Sequence, residues 1–293
     1  MSNIESYPDF NVKTFFDEET YTLTYVLWDP KSQDGVIIDS VLNYDHASGR
    51  ISYESLDELR TFIKEENIKV RYLLETHAHA DHLTGALVLK RDYPEAILGI
   101  GKNIQEVQKV FKPVFNLDIP TDGSQFDVLF EDGEVVEAGS LSFKVLFTPG
   151  HTPACTSILF EGVVFTGDAL FMPDYGTGRC DFPKGCAQDL YDSITKKLYT
   201  LPENTVVYTG HDYMPGGREL RYHCTVEESK RENIRLKGST SQEEFVRFRR
   251  ERDATLKAPK LILPSIQVNI DAGKLPQKAE NGVRYLRIPL SEE

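Results

Sequence analysis

Thr76-His77-Ala78-His79-Ala80-Asp81-His82 sets three imidazoles and one carboxylate within six residues, directly after the apolar run 70–75. Histidine and aspartate at this density are the usual signature of metal ligation. His77 and His79 are two apart, so an extended loop sends both to one side, and Asp81 and His82 can curl back at the start of the following helix.

Three further ligand-type side chains share one local context. The run 145–147 leads into Thr148-Pro149-Gly150-His151, the run 163–165 into Thr166-Gly167-Asp168, and the run 205–208 into Thr209-Gly210-His211. Each polar group follows a short apolar strand and has glycine directly before it, which lets the backbone pass close to a neighbour. Neighbouring strand ends carry such groups to one edge of a sheet, where sites in layered α/β proteins are built. The expectation is a single cleft onto which His77, His79, Asp81, His82, His151, Asp168 and His211 converge.

The rest of the chain supplies layers around these motifs. Residues 12–16, 21–28 and 36–39 read as β-hairpins with a turn over 30–35. Ser55 and Glu58 form a capping-box pattern ahead of Leu56, Leu59, Phe62 and Ile63, which share one helical face. A strand over 70–75, a helix over 85–92 closed by Pro94, a strand over 97–100 and a helix over 104–111 follow. Short strands over 126–143 are broken by Asp132-Gly133 and Gly139-Ser140. The runs 144–147, 163–166 and 205–208, with a helix over 190–198, continue the alternation. Beyond Arg218 come a charged helical segment, a second capping box at Ser241 and Glu244, and apolar runs at 261–263 and 285–288. The pattern predicts an α/β/β/α sandwich, one domain over 1–293, with 215–293 as a C-terminal extension packed on it.

Composition narrows the partners. The 46 acidic against 33 basic residues give a formal net charge of −13, which repels polyanions, so neither nucleic acid nor an anionic membrane is expected to bind. No apolar run reaches the length of a membrane span, and the polar start lacks the order of a signal peptide, so a cytoplasmic protein is expected. A homo-oligomer is compatible with the sequence. Cys155, Cys180, Cys186 and Cys224 have no C-x-x-C spacing and read as reduced thiols; Cys155 and Cys180 lie near the motifs, but neither has a sequence-adjacent base.

In this order and spacing, the His-x-His-x-Asp-His, Gly-His, Gly-Asp and final His resemble the metallo-β-lactamase superfamily, over about residues 12–213. Within that superfamily the chain is similar to the persulfide dioxygenases, also called sulfur dioxygenases. That family pairs a Gly-Asp-Ala-Leu segment with a Gly-x-Arg-x-Asp-Phe loop and a His-Asp-Tyr triplet, which stand here at 167–170, 178–182 and 211–213. The stretch 172–177, the turn Pro215-Gly216-Gly217-Arg218 and the tail Ile262-Leu263-Pro264-Ser265 extend the likeness to bacterial members over nearly the whole chain.

The resemblance implies one Fe(II) per chain, held by His77, His151 and Asp168, with His79, Asp81, His82 and His211 orienting these ligands and holding water. It implies oxidation of glutathione persulfide with O2 to sulfite and glutathione. Two imidazoles and one carboxylate leave adjacent positions open, which suits an oxygenase iron, whereas zinc is redox-inert. Tyr213 matches a family tyrosine near the substrate sulfur, placing it with the catalytic group; a packed aromatic is the plainer reading. Arg179 and Arg218 are candidates to clamp an anionic tripeptide, or to pair with carboxylates such as Asp181 and Asp174. Counting donors alone equally permits a two-zinc thioester or lactone hydrolase of the glyoxalase II type.

Overall fold

Hydrophobic strands buried on both faces organise the protein, whose computed structural model describes residues 4–290. The first half runs β1 (Ile4–Ser6), β2 (Asn11–Asp17), β3 (Thr22–Trp28), β4 (Asp34–Ile38), β5 (Val41–Asp45), β6 (Arg50–Ser52), α1 (Glu54–Glu65), β7 (Lys69–Glu75), β8 (Leu83–Thr84), α2 (Ala86–Asp92), β9 (Ile97–Gly101), α3 (Ile104–Val114) and β10 (Val128–Phe130). The second half runs β11 (Val135–Ala138), β12 (Leu141–Phe147), β13 (Thr156–Phe160), β14 (Val163–Phe165), α4 (Ala187–Lys196), β15 (Val206–Tyr208), β16 (His223–Thr225), α5 (Val226–Glu232), α6 (Gln242–Asp253) and α7 (Ile262–Asn269).

One seven-stranded sheet has the order β1-β2-β3-β4-β7-β9-β10, antiparallel as far as β4 and parallel from there. A six-stranded sheet follows the chain from β11 to β16, with β14 and β15 its parallel pair. Alternation along β3 explains how they stack. Leu23, Tyr25 and Leu27 face the second sheet with Phe143, Val145 and Phe165, while Val26 and Trp28 face the helices that carry Leu56, Leu59 and Leu89. On the far side Val164 and Val207 pack against Leu190, Ile194 and Phe245 of α4 and α6. The layers are helix, sheet, sheet and helix, as the sequence pattern predicts. Residues of the expected C-terminal extension enter both halves: β16 is the edge strand beside β15, and α7 lies against β8 and α3.

Several local expectations are corrected. The Ser55–Glu58 capping box does not form: Tyr53 occupies the N-cap of α1, and the Ser55 hydroxyl bonds Asp17 Oδ1 at 3.2 Å instead. A tertiary carboxylate outcompetes the helix terminus for that hydroxyl. The Ser241–Glu244 pair does cap α6, the Ser241 hydroxyl accepting from the Glu244 N–H at 3.2 Å. Asp81 and His82 do not open a helix, because β8 intervenes before α2. The helix expected over 190–198 begins earlier, at Ala187, and hands over to a 3-10 turn at Leu198–Thr200. Strand β13 escapes a periodicity reading because Thr156 and Ser157 are polar yet buried.

Candidate metal centre

Four strand ends meet at one edge of the sandwich. The loop after β7 carries His77, His79, Asp81 and His82; those after β12, β14 and β15 carry His151, Asp168 and His211. One donor atom from each of His77, His151 and Asp168 lies within 4.8 Å of the others. Asp168 Oδ2 stands 3.6 Å from His151 Nε2 and 4.0 Å from His77 Nε2. Glycine makes this closeness feasible: a Cβ on Gly178 would stand 2.0 Å from the Asp168 carbonyl oxygen, and one on Gly210 2.7 Å from Asp168 Oδ1.

Hydrogen bonds on the rear nitrogens set which nitrogen faces the cleft. The Thr76 hydroxyl donates to Asp39 Oδ2 at 2.8 Å and so accepts from His77 Nδ1 at 3.0 Å, leaving Nε2 as the lone-pair nitrogen. That Nε2 is buried and has no hydrogen-bond partner among the described residues. Burial, then the surrounding imidazoles, hold the His77 pKa well below its usual value, so the ring is neutral and able to ligate. His151 Nδ1 donates to the Arg179 carbonyl at 2.7 Å, again presenting Nε2. A buried, partnerless imidazole nitrogen beside a second imidazole and a carboxylate, each ring oriented from behind, fits a metal ion.

His79 is held differently. Its Nε2 lies 3.1 Å from Asp39 Oδ1 and 3.3 Å from Glu75 Oε2, and it falls outside the His77, His151 and Asp168 group. Burial opposes its charged form, but the two carboxylates prevail and raise its pKa well above the ordinary value. His79 does belong to a second donor group with Asp81 and His82. His211 Nε2 sits 3.3 Å from both Asp81 Oδ2 and Asp168 Oδ1, linking the two groups. Burial and His79 lower the His82 pKa to about 4, so its Nε2 is also a free lone pair.

A cleft of about 560 Å³ opens above His151 and Asp168. Tyr213 lines it, stacked on His211 with ring centroids 5.5 Å apart and 4.7 Å from the Tyr175 ring. Burial, then Asp168 and Asp81, raise the Tyr213 pKa well above that of free tyrosine, so its hydroxyl keeps its proton. Arg179 lines the cleft too, although its guanidinium is bidentate to Asp181 at 2.5 and 2.6 Å. Arg218 is placed elsewhere. Its guanidinium bonds both oxygens of the fully buried Asp212 at 2.6 and 2.7 Å and also Asp174, and it is not among the cleft-lining residues, so the expected substrate contact is corrected to a structural one. The thiol of Cys155 is pushed up to about 12 by burial, and burial raises that of Cys180 as well, so neither is a poised nucleophile.

Sequence reasoning missed Asn269. From α7 its amide donates to the carbonyls of His79 and His82 at 2.8 Å each and accepts from the Thr84 N–H at 2.9 Å, pinning both ends of the ligand loop. No local signal marks it, since its partners lie up to 190 positions away. Replacing Asn269 by Leu is expected to cost roughly 3 kcal/mol, because three buried backbone groups lose their partner. The same change should weaken metal retention by about 10- to 100-fold, as losses of ligand-orienting contacts do. Asn269→Asp should cost at least as much as Leu, because a buried carboxylate oxygen would then face the His79 and His82 carbonyls. Urea unfolding with chelator competition measures both effects; an unaltered metal affinity would reduce Asn269 to a packing role. Asp39 was also missed, although it follows β4 as the other polar groups follow their strands.

The Metallo-beta-lactamase superfamily profile matches residues 18–211. Glyoxylase B2 of Dictyostelium discoideum is 49% identical over 283 residues, covering 96% of this chain and 97% of that protein. The mitochondrial persulfide dioxygenase ETHE1 of Mus musculus is 34% identical over 238 residues, covering 80% of this chain and 79% of that one. Among solved structures, ETHE1 from Myxococcus xanthus superposes with a TM-score of 0.73 at 33% identity, covering 90% of this chain and 99% of its own. With the profile spanning most of the chain and the ligand motifs gathered at one sheet edge, this chain belongs to the metallo-β-lactamase superfamily.

Proposed function

We propose that this protein is a persulfide dioxygenase that uses one Fe(II) per chain to oxidise glutathione persulfide with O2 to sulfite and glutathione. The observation that carries this reading is the composition of the donor group. His77, His151 and Asp168 form a two-histidine, one-carboxylate set, while the imidazole that would complete a three-histidine zinc site, His79, is tethered to Asp39 and Glu75. Two histidines and a carboxylate on one face suit non-haem iron oxygenases. The similarity to the mouse and Myxococcus proteins supports the same reading.

When bound at these three residues, iron supplies the one-electron chemistry that lets dioxygen react with a closed-shell sulfur compound. Overall, the outer sulfur gives up four electrons and O2 accepts them, while water contributes the third sulfite oxygen and glutathione leaves with its thiol proton. The chain's own part is positioning. Thr76 and the Arg179 carbonyl fix the two imidazole orientations, and His211 steadies the free oxygen of Asp168. Tyr213, protonated and facing the cleft, donates a hydrogen bond toward the substrate sulfur, while Phe171 and Tyr175 keep bulk water from it.

A second reading has its own support. The His79, Asp81 and His82 group, with His211, could hold a second ion, and the Dictyostelium relative bears a glyoxalase-type name. That reading is a two-zinc thioester or lactone hydrolase. An oxygen electrode with Fe(II)-loaded protein and glutathione persulfide, run beside a zinc-loaded assay on S-lactoylglutathione, separates the two. Persulfide-dependent oxygen uptake with thioester cleavage near background is the expected result. Brisk cleavage without oxygen uptake would replace the dioxygenase by the hydrolase.

A further inference from the structure

Cys180 and Cys186 bracket the loop behind His151, and both are free thiols that the proposed reaction does not use. The chain turns back on itself between them. Lys184 takes the left-handed conformation at φ 64°, the Gly185 N–H donates to the Phe182 carbonyl at 2.6 Å, and a Cβ on Gly185 would stand only 2.4 Å from the Cys180 carbonyl oxygen. The backbone next to Cys186 therefore touches that of Cys180. Both cysteines also line one cavity of about 420 Å³, with Gln188, Val246 and Arg250, and this cavity shares no lining residue with the metal cleft. A disulfide needs its two Cα atoms within about 7 Å of each other, a range that so close a return of the chain serves.

The two thiols differ in access. Cys186 is half-buried at the N-cap of α4, where its side chain makes no capping hydrogen bond. Cys180 is buried in the layer of α4 and α6, and burial keeps its thiol protonated. Cys155 and Cys224 are buried too and do not line this cavity. A dissolved reagent entering the cavity meets Cys186 first.

Both ends of the loop are tied to the segment that carries a candidate metal ligand. Beside Cys180, the Arg179 carbonyl accepts from His151 Nδ1 at 2.7 Å, and at the other end the Cys186 N–H donates to the Gly150 carbonyl at 2.8 Å. Gly150 has no slack, since a Cβ there would stand 2.3 Å from the Leu190 side chain.

We infer that Cys180 and Cys186 form a thiol–disulfide switch, which a small disulfide such as glutathione disulfide closes and which, once closed, loosens the metal site through His151. The Cys186 thiolate attacks one sulfur of glutathione disulfide, whose S–S bond breaks to release the first glutathione. The Cys180 thiolate then attacks the Cys186 sulfur of the mixed disulfide and releases the second. Two electrons and two protons pass from the protein thiols to two glutathione thiols. Joining the sulfurs pulls on the Arg179 and Cys186 backbone contacts, and so on the imidazole they orient. The switch acts on ligand geometry and is independent of the reaction catalysed at the metal.

The 293-residue chain loaded with zinc, a redox-inert metal, separates thiol oxidation from metal oxidation. It is equilibrated anaerobically in mixtures of glutathione and its disulfide, alkylated, and read by peptide mass spectrometry and by chelator competition. Wild type is expected to lose two of its four alkylatable thiols together and to yield linked peptides containing Cys180 and Cys186. Its metal should pass to the chelator about tenfold more readily, and dithiothreitol should reverse both changes. Cys180→Ala should stop at one glutathione on Cys186. Cys186→Ser, at an N-cap where serine is favoured, should keep its other thiols and its metal under the same oxidant. Oxidised wild type without the 180–186 link overturns the switch. So does a linked protein whose metal retention is unchanged, or Cys186→Ser protein that loses metal as wild type does.

Discussion

Asp168→Ala, His77→Ala and His151→Ala are each expected to yield folded protein that has lost its metal and at least about a hundredfold of its turnover. Removing one of three donors leaves a two-point site, and changes to ligand-orienting groups alone already cost 10- to 100-fold. Asp168 should be the most damaging, because its second oxygen also faces His211 at 3.3 Å. His79→Ala makes the contrast. It should retain metal and lose stability, because Asp39 and Glu75 would be left in the core without the imidazole that lies 3.1 and 3.3 Å from them. His211→Ala should likewise keep part of the metal. Metal content after gel filtration against a chelator, read beside thermal unfolding, checks the series. Loss of two zincs together in all seven ligand-type variants would overturn the single-iron assignment.

Asp253→Leu is the second large effect, and it acts on stability. Arg249 and Asp253 form an ion pair within α6, only 5% and 6% exposed. The pair also holds the loop above the site: Arg249 Nη1 donates to the Thr177 carbonyl at 3.0 Å, and Asp253 Oδ2 accepts from the Cys180 N–H at 2.8 Å. Removing the carboxylate strands a buried guanidinium and an amide, which is expected to cost about 3–5 kcal/mol. The unfolding temperature should fall by on the order of 10 °C. Arg249→Met with Asp253→Leu should recover most of that loss, since replacing a whole buried pair with apolar groups is often close to neutral. Thermal melts of the two proteins decide it. A double variant as unstable as the single would place the cost in the lost loop contacts rather than in the stranded charge.

That loop, 178–182, shows how far a motif can be read. Its position after Asp168 and the cleft-lining place of Arg179 follow from local sequence. Its support does not: the carbonyl of Arg179, rather than its side chain, orients His151, and the guanidinium is bonded to Asp181. Arg218 is similar. As a cation near the last histidine it suggested an anion contact, but the buried Asp212 and the nearby Asp174 occupy its donors.

By itself the sequence determined the layers and the strand ends at which the ligand-type side chains meet. The strand 22–28 is apolar enough to be buried on both faces, and a polar residue after a strand end has the sheet edge as its place. These are properties of a few neighbouring residues, so periodicity reveals them. Tertiary structure alone decided how the donors divide: His79 turned to Asp39 and Glu75, His211 set between Asp81 and Asp168, and the ligand loop fastened by Asn269 from α7. Each of those outcomes is a competition among several possible partners for one hydrogen-bonding group. The winner is set by distances of about 3 Å between residues up to 190 positions apart, which only the packed sheets and helices establish.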